Sequence, residues 1–171
     1  TLLFRCYCIR ILLNMDTIEY HSPCGILHLA ATDGKLLMCD WADSPRHRRN
    51  LGQLNQGEMD YDVISCAETQ LDEYFSGRRH RFDIEVSPAG TPFRRRVWEC
   101  LAEIPFGGTM TYKKLAEIVG IPDGARAVAG AVAANPVSIF IPCHRIIGTG
   151  GELTGYAGGM AAKRYLLELE K

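Results

Sequence analysis

The apolar residues of this chain change their spacing part-way along, and that change restricts the fold to an α+β arrangement in two parts. On the amino-terminal side, Thr17 to His21, Gly25 to Ala31 and Lys35 to Trp41 alternate in short runs, parted by Ser22-Pro23 and by Asp33-Gly34. Alternation with period two makes a half-buried strand, and Asp-Gly is a pair that two-residue hairpin turns favour. The spacing predicts a small antiparallel sheet. Ser44 to Tyr61 is polar and irregular, after which Val63, Ala67, Leu71, Tyr74 and Phe75 recur at helical spacing until Gly77. One amphipathic helix therefore covers the sheet. Ser87-Pro88-Ala89-Gly90-Thr91-Pro92 reads as a linker, which puts a boundary near Gly90 and divides residues 15–90 from 91–171.

The carboxy-terminal half is mostly helical in pattern. Phe93, Val97, Trp98, Leu101 and Ile104 share one face, leaving Arg94, Arg95 and Arg96 toward solvent. Thr111 is placed to cap a helix whose stripe is Tyr112, Leu115, Ala116 and Val119, and Gly120 ends it. A turn through Pro122-Asp123-Gly124 leads to Ala125 to Ala134, nearly all small residues, stopped by Asn135-Pro136. Helix, tight glycine turn, helix fits both a helix-turn-helix and an ordinary helical hairpin. The second helix is unusual in offering no bulk and one long polar side chain, Arg126, near its start. Ser138 to Ile141 is a short apolar strand candidate, and a last helix begins at about Met160.

Composition narrows the classes. With 47% apolar and 23% charged residues in 171, the chain is neither disordered nor fibrous. Residues 1–90 carry nine basic against thirteen acidic side chains and residues 91–171 carry ten against seven, so the second half is the better partner for phosphate. Thr1 to Asn14 is apolar but interrupted by Arg5 and Arg10, lacks a small-residue cleavage site, and falls short of the roughly 20 residues of a membrane span. Neither export nor a membrane anchor is expected, and residues 1–14 are set aside as a leader before a start at Met15. Seven irregularly spaced cysteines argue for free thiols in a reducing cytoplasm rather than a disulfide framework.

Most of those cysteines are ordinary small core residues, but Cys143 stands in Pro142-Cys143-His144-Arg145. A thiol of ordinary pKa is mostly protonated in the cell, and only the thiolate attacks well, so a base or cations beside it matter. Downstream, Gly148, Gly150, Gly151, Gly155, Gly158 and Gly159 crowd around Tyr156, which suits either backbone passing close to a flat ligand or a flexible surface loop. Lys163 and Glu170 are seven apart, hence on roughly one helix face.

The run from Asn135-Pro136-Val137-Ser138 through Pro142-Cys143-His144-Arg145-Ile146-Ile147-Gly148, with Gly155-Tyr156-Ala157-Gly158-Gly159 and Lys163 to Glu170, resembles the signature of the O6-alkylguanine-DNA alkyltransferases. Thr91-Pro92-Phe93, Val97-Trp98, Thr111-Tyr112, Leu115-Ala116 and Ala125-Arg126-Ala127-Val128 extend the likeness, and Ser22-Pro23-Cys24-Gly25 carries it weakly into the first half. Ser138 and the Gly-Tyr-Ala-Gly-Gly run are closer to the bacterial constitutive form than to the animal form. The resemblance implies a ribonuclease-H-like domain over 15–90 and a DNA-binding, alkyl-transferring domain with helix-turn-helix over 91–171. It implies repair of O6-alkylguanine, and of O4-alkylthymine, in duplex DNA by base flipping and irreversible transfer of the alkyl group to Cys143. By the same likeness His144 is the base acting through water, Glu170 orients it, Tyr112 donates toward guanine N3, and Lys163 favours the thiolate. Arg126 is the finger that fills the space left by the flipped base, its slim helix lying in the minor groove. Asn135 is the hinge, while Arg145, Ile146, Tyr156 and Ala157 surround the substrate, Ile146 and Ala157 through their backbones.

No cofactor is expected, and the protein is expected to act as a monomer. Of the two cysteines and two histidines that hold zinc in the animal form, the second cysteine and first histidine correspond here to Thr32 and Leu37, so no zinc is expected; a set made of Cys6, Cys8, Cys24 and His28 has irregular spacing. Two other readings remain at this stage. A damage sensor or regulator that binds DNA without chemistry has no use for Cys143. A thiol hydrolase built on Cys143, His144 and Glu170 has none for Arg126 and Tyr112.

Overall fold

The computed structural model describes residues 17–51, 54 and 57–171. The leader expectation for residues 1–14, the start at Met15 and the positions of Cys6 and Cys8 lie outside them. Strands β1 (Ile18–Ser22), β2 (Gly25–Thr32) and β3 (Lys35–Trp41) form an antiparallel sheet in that order. Asp33 and Gly34 both take positive φ, 50° and 77°, as a tight hairpin turn with the right twist requires. Opposed residues such as Tyr20 and Leu27 turn the same face inward, and a bulge between Ala30 and Ala31 shifts the register before the turn.

Helix α1 (His47–Leu51) is short and lies in the stretch read as irregular. Its five residues include Arg48 and Arg49 and show no apolar period, so nothing in the sequence marks it. Helix α2 (Tyr61–Phe75) covers the sheet with Ile64, Ala67, Gln70, Leu71 and Tyr74. Asp60 joins the two: its carboxylate accepts from Val63 N as helix cap and from Gly34 N in the hairpin turn.

In the second half, Thr91 caps α3 (Pro92–Ala102), with Pro92 in the first turn where a missing N–H costs nothing. Two-residue strand β4 (Met110–Thr111) leads into α4 (Tyr112–Ile118), which Thr111 caps by accepting from Lys114 N. Helix α5 (Ala125–Ala133) buries Val128, Ala131 and Val132. The indole of Trp98 on α3 donates to Ala131 O at 2.9 Å, tying that helix to α5. A 3-10 turn (Cys143–Arg145), strand β5 (Ile146–Ile147), parallel to β4, and α6 (Gly159–Leu169) complete the chain.

Both halves share one core, because the outer edge of β3 is paired by backbone from beyond the sheet. Leu36 N donates to Glu85 O and Ser87 N to Leu36 O; further along, Cys39 N donates to Pro136 O and Ser138 N to Cys39 O, all within 2.9 Å. The segment that leads to Cys143 is thus hung on the amino-terminal sheet. The strand expected over Ser138 to Ile141 is not formed. These residues make a tight buried turn, with Phe140 N on Ser138 O, Ile141 N on Val137 O and Ile139 at φ 72°. Their apolar character reflects burial, which a four-residue run signals without specifying strand.

Candidate active site

Asn135 staples the turn that presents Cys143. Its Oδ1 accepts from Val137 N at 3.0 Å and its Nδ2 donates to Ile141 O at 2.9 Å, both buried. Cys143, 6% exposed, lies at the wall of a cavity of about 490 Å³. Tyr112 of α4, the small side chains Ala129 and Ala133 of α5, and the loop from Thr154 to Ala157 form the other walls. Ser44, Pro45 and Arg46, which lead into α1, close it from the amino-terminal half. The volume is that of an ordinary small-molecule pocket, and the alanines keep its mouth low.

The charges around Cys143 follow from burial and hydrogen bonding. Burial pushes the thiol above its ordinary value, while the side chain of Asn135, the charge of Lys163, its own backbone N–H and the hydroxyl of Ser138 pull the other way. Ser138 Oγ is buried without a hydrogen-bond partner among the described residues. At rest the sulfur is a thiol surrounded by groups that favour its anion, so it needs a base.

His144 is fully buried, and its Nε2 is 2.8 Å from Glu170 Oε1. Burial draws its pKa below 6.5, the ordinary imidazole value, against the opposing pull of Glu170. Burial alone raises the Glu170 carboxyl, but hydrogen bonds from His144, Arg145 and Tyr74 outweigh it and hold the group anionic, well below the carboxylate range. An anionic carboxylate only accepts, so the proton of this bond is on Nε2. Nδ1 is left as the basic nitrogen, buried and without a partner among the described residues. A neutral imidazole in this tautomer is equipped to take a proton from a thiol.

Glu170 gathers donors from across the fold. Arg145 Nε and Nη2 grip its two oxygens at 2.8 and 2.9 Å, Gly107 N reaches Oε2 at 3.2 Å, and Tyr74 of α2 donates to Oε1 at 2.6 Å. Gly107 is needed there, since its φ is 74° and a Cβ would meet Glu170 O at 2.7 Å. Lys163, fully buried, donates to Ile146 O at 2.6 Å and Thr154 O at 3.1 Å, clamping the glycine-rich loop to β5. Thr154 Oγ1 in turn donates to the Tyr112 hydroxyl at 3.1 Å, leaving that hydroxyl's own proton free for the cavity.

Two family models match this chain: "6-O-methylguanine DNA methyltransferase, ribonuclease-like domain" over residues 18–88, and the DNA binding domain of the same name over residues 92–171. The chain belongs to this methyltransferase family. A "Methylated-DNA--protein-cysteine methyltransferase" of Mycobacterium leprae is 43% identical over 150 residues, covering 88% of each chain. One of the same description from Methanosarcina acetivorans is 48% identical over 151 residues, 88% of this chain and 95% of its own. Among solved structures, that of Mycobacterium tuberculosis OGT in complex with DNA superposes with a TM-score of 0.79 at 40% identity, over 90% of this chain and 91% of that one.

Against the family signature, the fold brings Cys143, His144, Glu170, Lys163, Tyr112, Asn135, Tyr156 and Ala157 to one place. Arg126 is exposed at the start of α5, outside the cavity lining. Arg145 is turned away from the cavity: besides Glu170 it donates to Ile104 O, and it faces a separate hollow between residues 80–86 and Phe140. The Ile146 carbonyl, expected at the purine edge, accepts from Lys163. Tyr74, Thr154, Trp41 and Ser44 to Arg46 also belong to the site, with no motif in the sequence to mark them. Tyr74 and Trp41 read only as core residues, and Arg46 falls where no periodicity drew attention.

Proposed function

We propose that this protein repairs O6-alkylguanine in duplex DNA by moving the alkyl group, once per molecule, onto Cys143. The observation that carries the proposal is a buried thiol at the wall of a cavity faced by the Tyr112 hydroxyl, beside an imidazole whose free nitrogen is its basic one. His144 Nδ1, through a water, takes the thiol proton. The sulfur attacks the alkyl carbon, the S–C bond forms as the C–O6 bond breaks, and the electron pair leaves with guanine. Tyr112 donates a proton at N3 to the departing base and is reprotonated, through water, from the imidazolium formed at His144. Overall one proton passes from sulfur to guanine, so the atoms balance without a cofactor. The thioether has no route back to thiol, which makes the event single.

A cavity of this size admits a base only when it is turned out of the stack. The low profile of Ala125, Ala129 and Ala133 supports α5 as the helix laid against the minor groove, with exposed Arg126 at its leading end entering the stack. The basic second half supplies the attraction for phosphate, and no helix among the described residues is long and apolar enough to cross a membrane. Free thiols fit work in a reducing cytoplasm.

Cys143→Ala tests the assignment. The variant is expected to lose transfer from O6-methylguanine duplexes entirely while still retarding them in a gel shift. Transfer that persists in the variant would reject Cys143 as the acceptor.

A further inference from the structure

One side chain of the amino-terminal half enters the hydrogen-bonded cluster at Glu170. Tyr74, in the last turn of α2, is fully buried, and its ring is wedged among Phe75, Phe82 and Phe106, with centroids 5.3, 5.4 and 6.1 Å away. The packing fixes the ring, so the hydroxyl is aimed rather than free to swing. It donates to Glu170 Oε1 at 2.6 Å, across 96 positions of sequence. That same oxygen faces His144 Nε2 at 2.8 Å and accepts from Arg145 Nη2 at 2.9 Å.

A carboxylate oxygen has about two lone pairs, so three donors on one oxygen compete. Each donor draws off negative charge that the others would otherwise feel. A weaker pull on the Nε2 proton makes Nδ1 less basic, and a base that is too basic is already protonated at neutral pH and cannot take the thiol proton. We infer that Tyr74 is a positioning residue for alkyl transfer: its hydroxyl holds the Glu170 carboxylate against His144 and limits how basic the imidazole becomes. The inference rests on the reading of His144 as the base for Cys143. The ribonuclease-like half thereby takes part in the chemistry and does more than cover a sheet.

The other groups facing this pair come from several elements. The 3-10 turn supplies Cys143 and Arg145, α6 supplies buried Lys163, the loop before β4 supplies Gly107 N, and the Tyr156 ring lies 6.4 Å from His144. From the amino-terminal sheet, the Cys24 thiol is near enough to act on Tyr74 electrostatically. None of them changes when one hydroxyl is removed, so Tyr74→Phe isolates the effect and leaves the aromatic packing in place.

The test compares the full chain with its Tyr74→Phe variant, measuring the rate of Cys143 alkylation by free O6-benzylguanine from about pH 5 to pH 9. The acid limb of the profile is expected to move up by about half a pH unit or more, so that on the limb the variant is roughly threefold slower relative to its own plateau. Histidine side-chain NMR is expected to show the same upward displacement in the titration of His144. Coincident limbs, or a loss by one constant factor at every pH with an unmoved His144 titration, would overturn the inference and leave Tyr74 a packing residue. The two failures separate cleanly. Absence of Cys143 alkylation in the parent chain removes the reading of the site and the inference with it, whereas alkylation with coincident limbs removes the inference alone.

Discussion

Glu170 decides how the site responds to acid. Its folded pKa lies below its ordinary value of 4.5, and that of His144 lies below 6.5, so for both groups the unfolded chain binds protons more readily than the folded one. By linkage, the stability each contributes is fully present above its ordinary value and is lost as pH falls toward the folded one. Thermal melts are therefore expected to hold steady down to about pH 7, decline below it as the unfolded chain takes up a proton that folded His144 refuses, and fall more steeply below about pH 4.5 as the unfolded chain protonates the carboxyl that folded Glu170 keeps anionic in its pairing with Arg145. A melting temperature that stays flat to pH 4 would contradict this description of the cluster. Cys143, His144 and Glu170 were legible in the sequence through their spacing and the family signature. Tyr74 was not, because its partner is 96 residues away and an aromatic at helical spacing reads first as core.

Turns and caps were the most readable elements, since their chemistry is local. Asp33-Gly34, Thr111 and Gly120 each do what their residue types demand, whereas Thr91, read as linker, proves to be a helix cap. The elements misjudged were short: α1 has no periodicity to find, and the Ser138–Ile141 turn is apolar only because it is buried. Two glycines separate space from flexibility at this level. Gly130 is exposed on α5, and a Cβ added there would have nothing within 4 Å. It weakens the helix without a packing reason, so Gly130→Ala is expected to raise unfolding free energy by about 0.5–1 kcal/mol in denaturant titrations. Gly158 has ordinary φ, but a Cβ there would come within 2.5 Å of the Trp41 ring, whose Nε1 donates to the Tyr156 hydroxyl at 3.2 Å. Gly158→Ala is expected to cost about 1–3 kcal/mol and to slow transfer, as the loop is pushed off the cavity wall. Equal effects of the two substitutions would contradict the role given to Trp41 as the loop's support.

The whole molecule is a scaffold for one sulfur atom. The edge of the amino-terminal sheet carries the strand-like run 136–138, that run turns into the buried loop stapled by Asn135, and the loop delivers Cys143 to a cavity closed by both halves. The halves were recognisable as separate pieces of sequence from the linker at Ser87 to Pro92. Their shared core was not, because backbone pairing at the edge of β3 leaves no trace in residue type. Everything about the proposed activity converges on what happens to Cys143 when the protein meets its lesion. The decisive measurement is mass spectrometry of the peptide containing Cys143 after incubation with duplex DNA bearing O6-methylguanine. The account predicts a gain of one methylene's mass on that cysteine, one per protein molecule, matched by restored guanine and followed by no second turnover. An unmodified Cys143 beside consumed lesions, or one molecule clearing many, would contradict it.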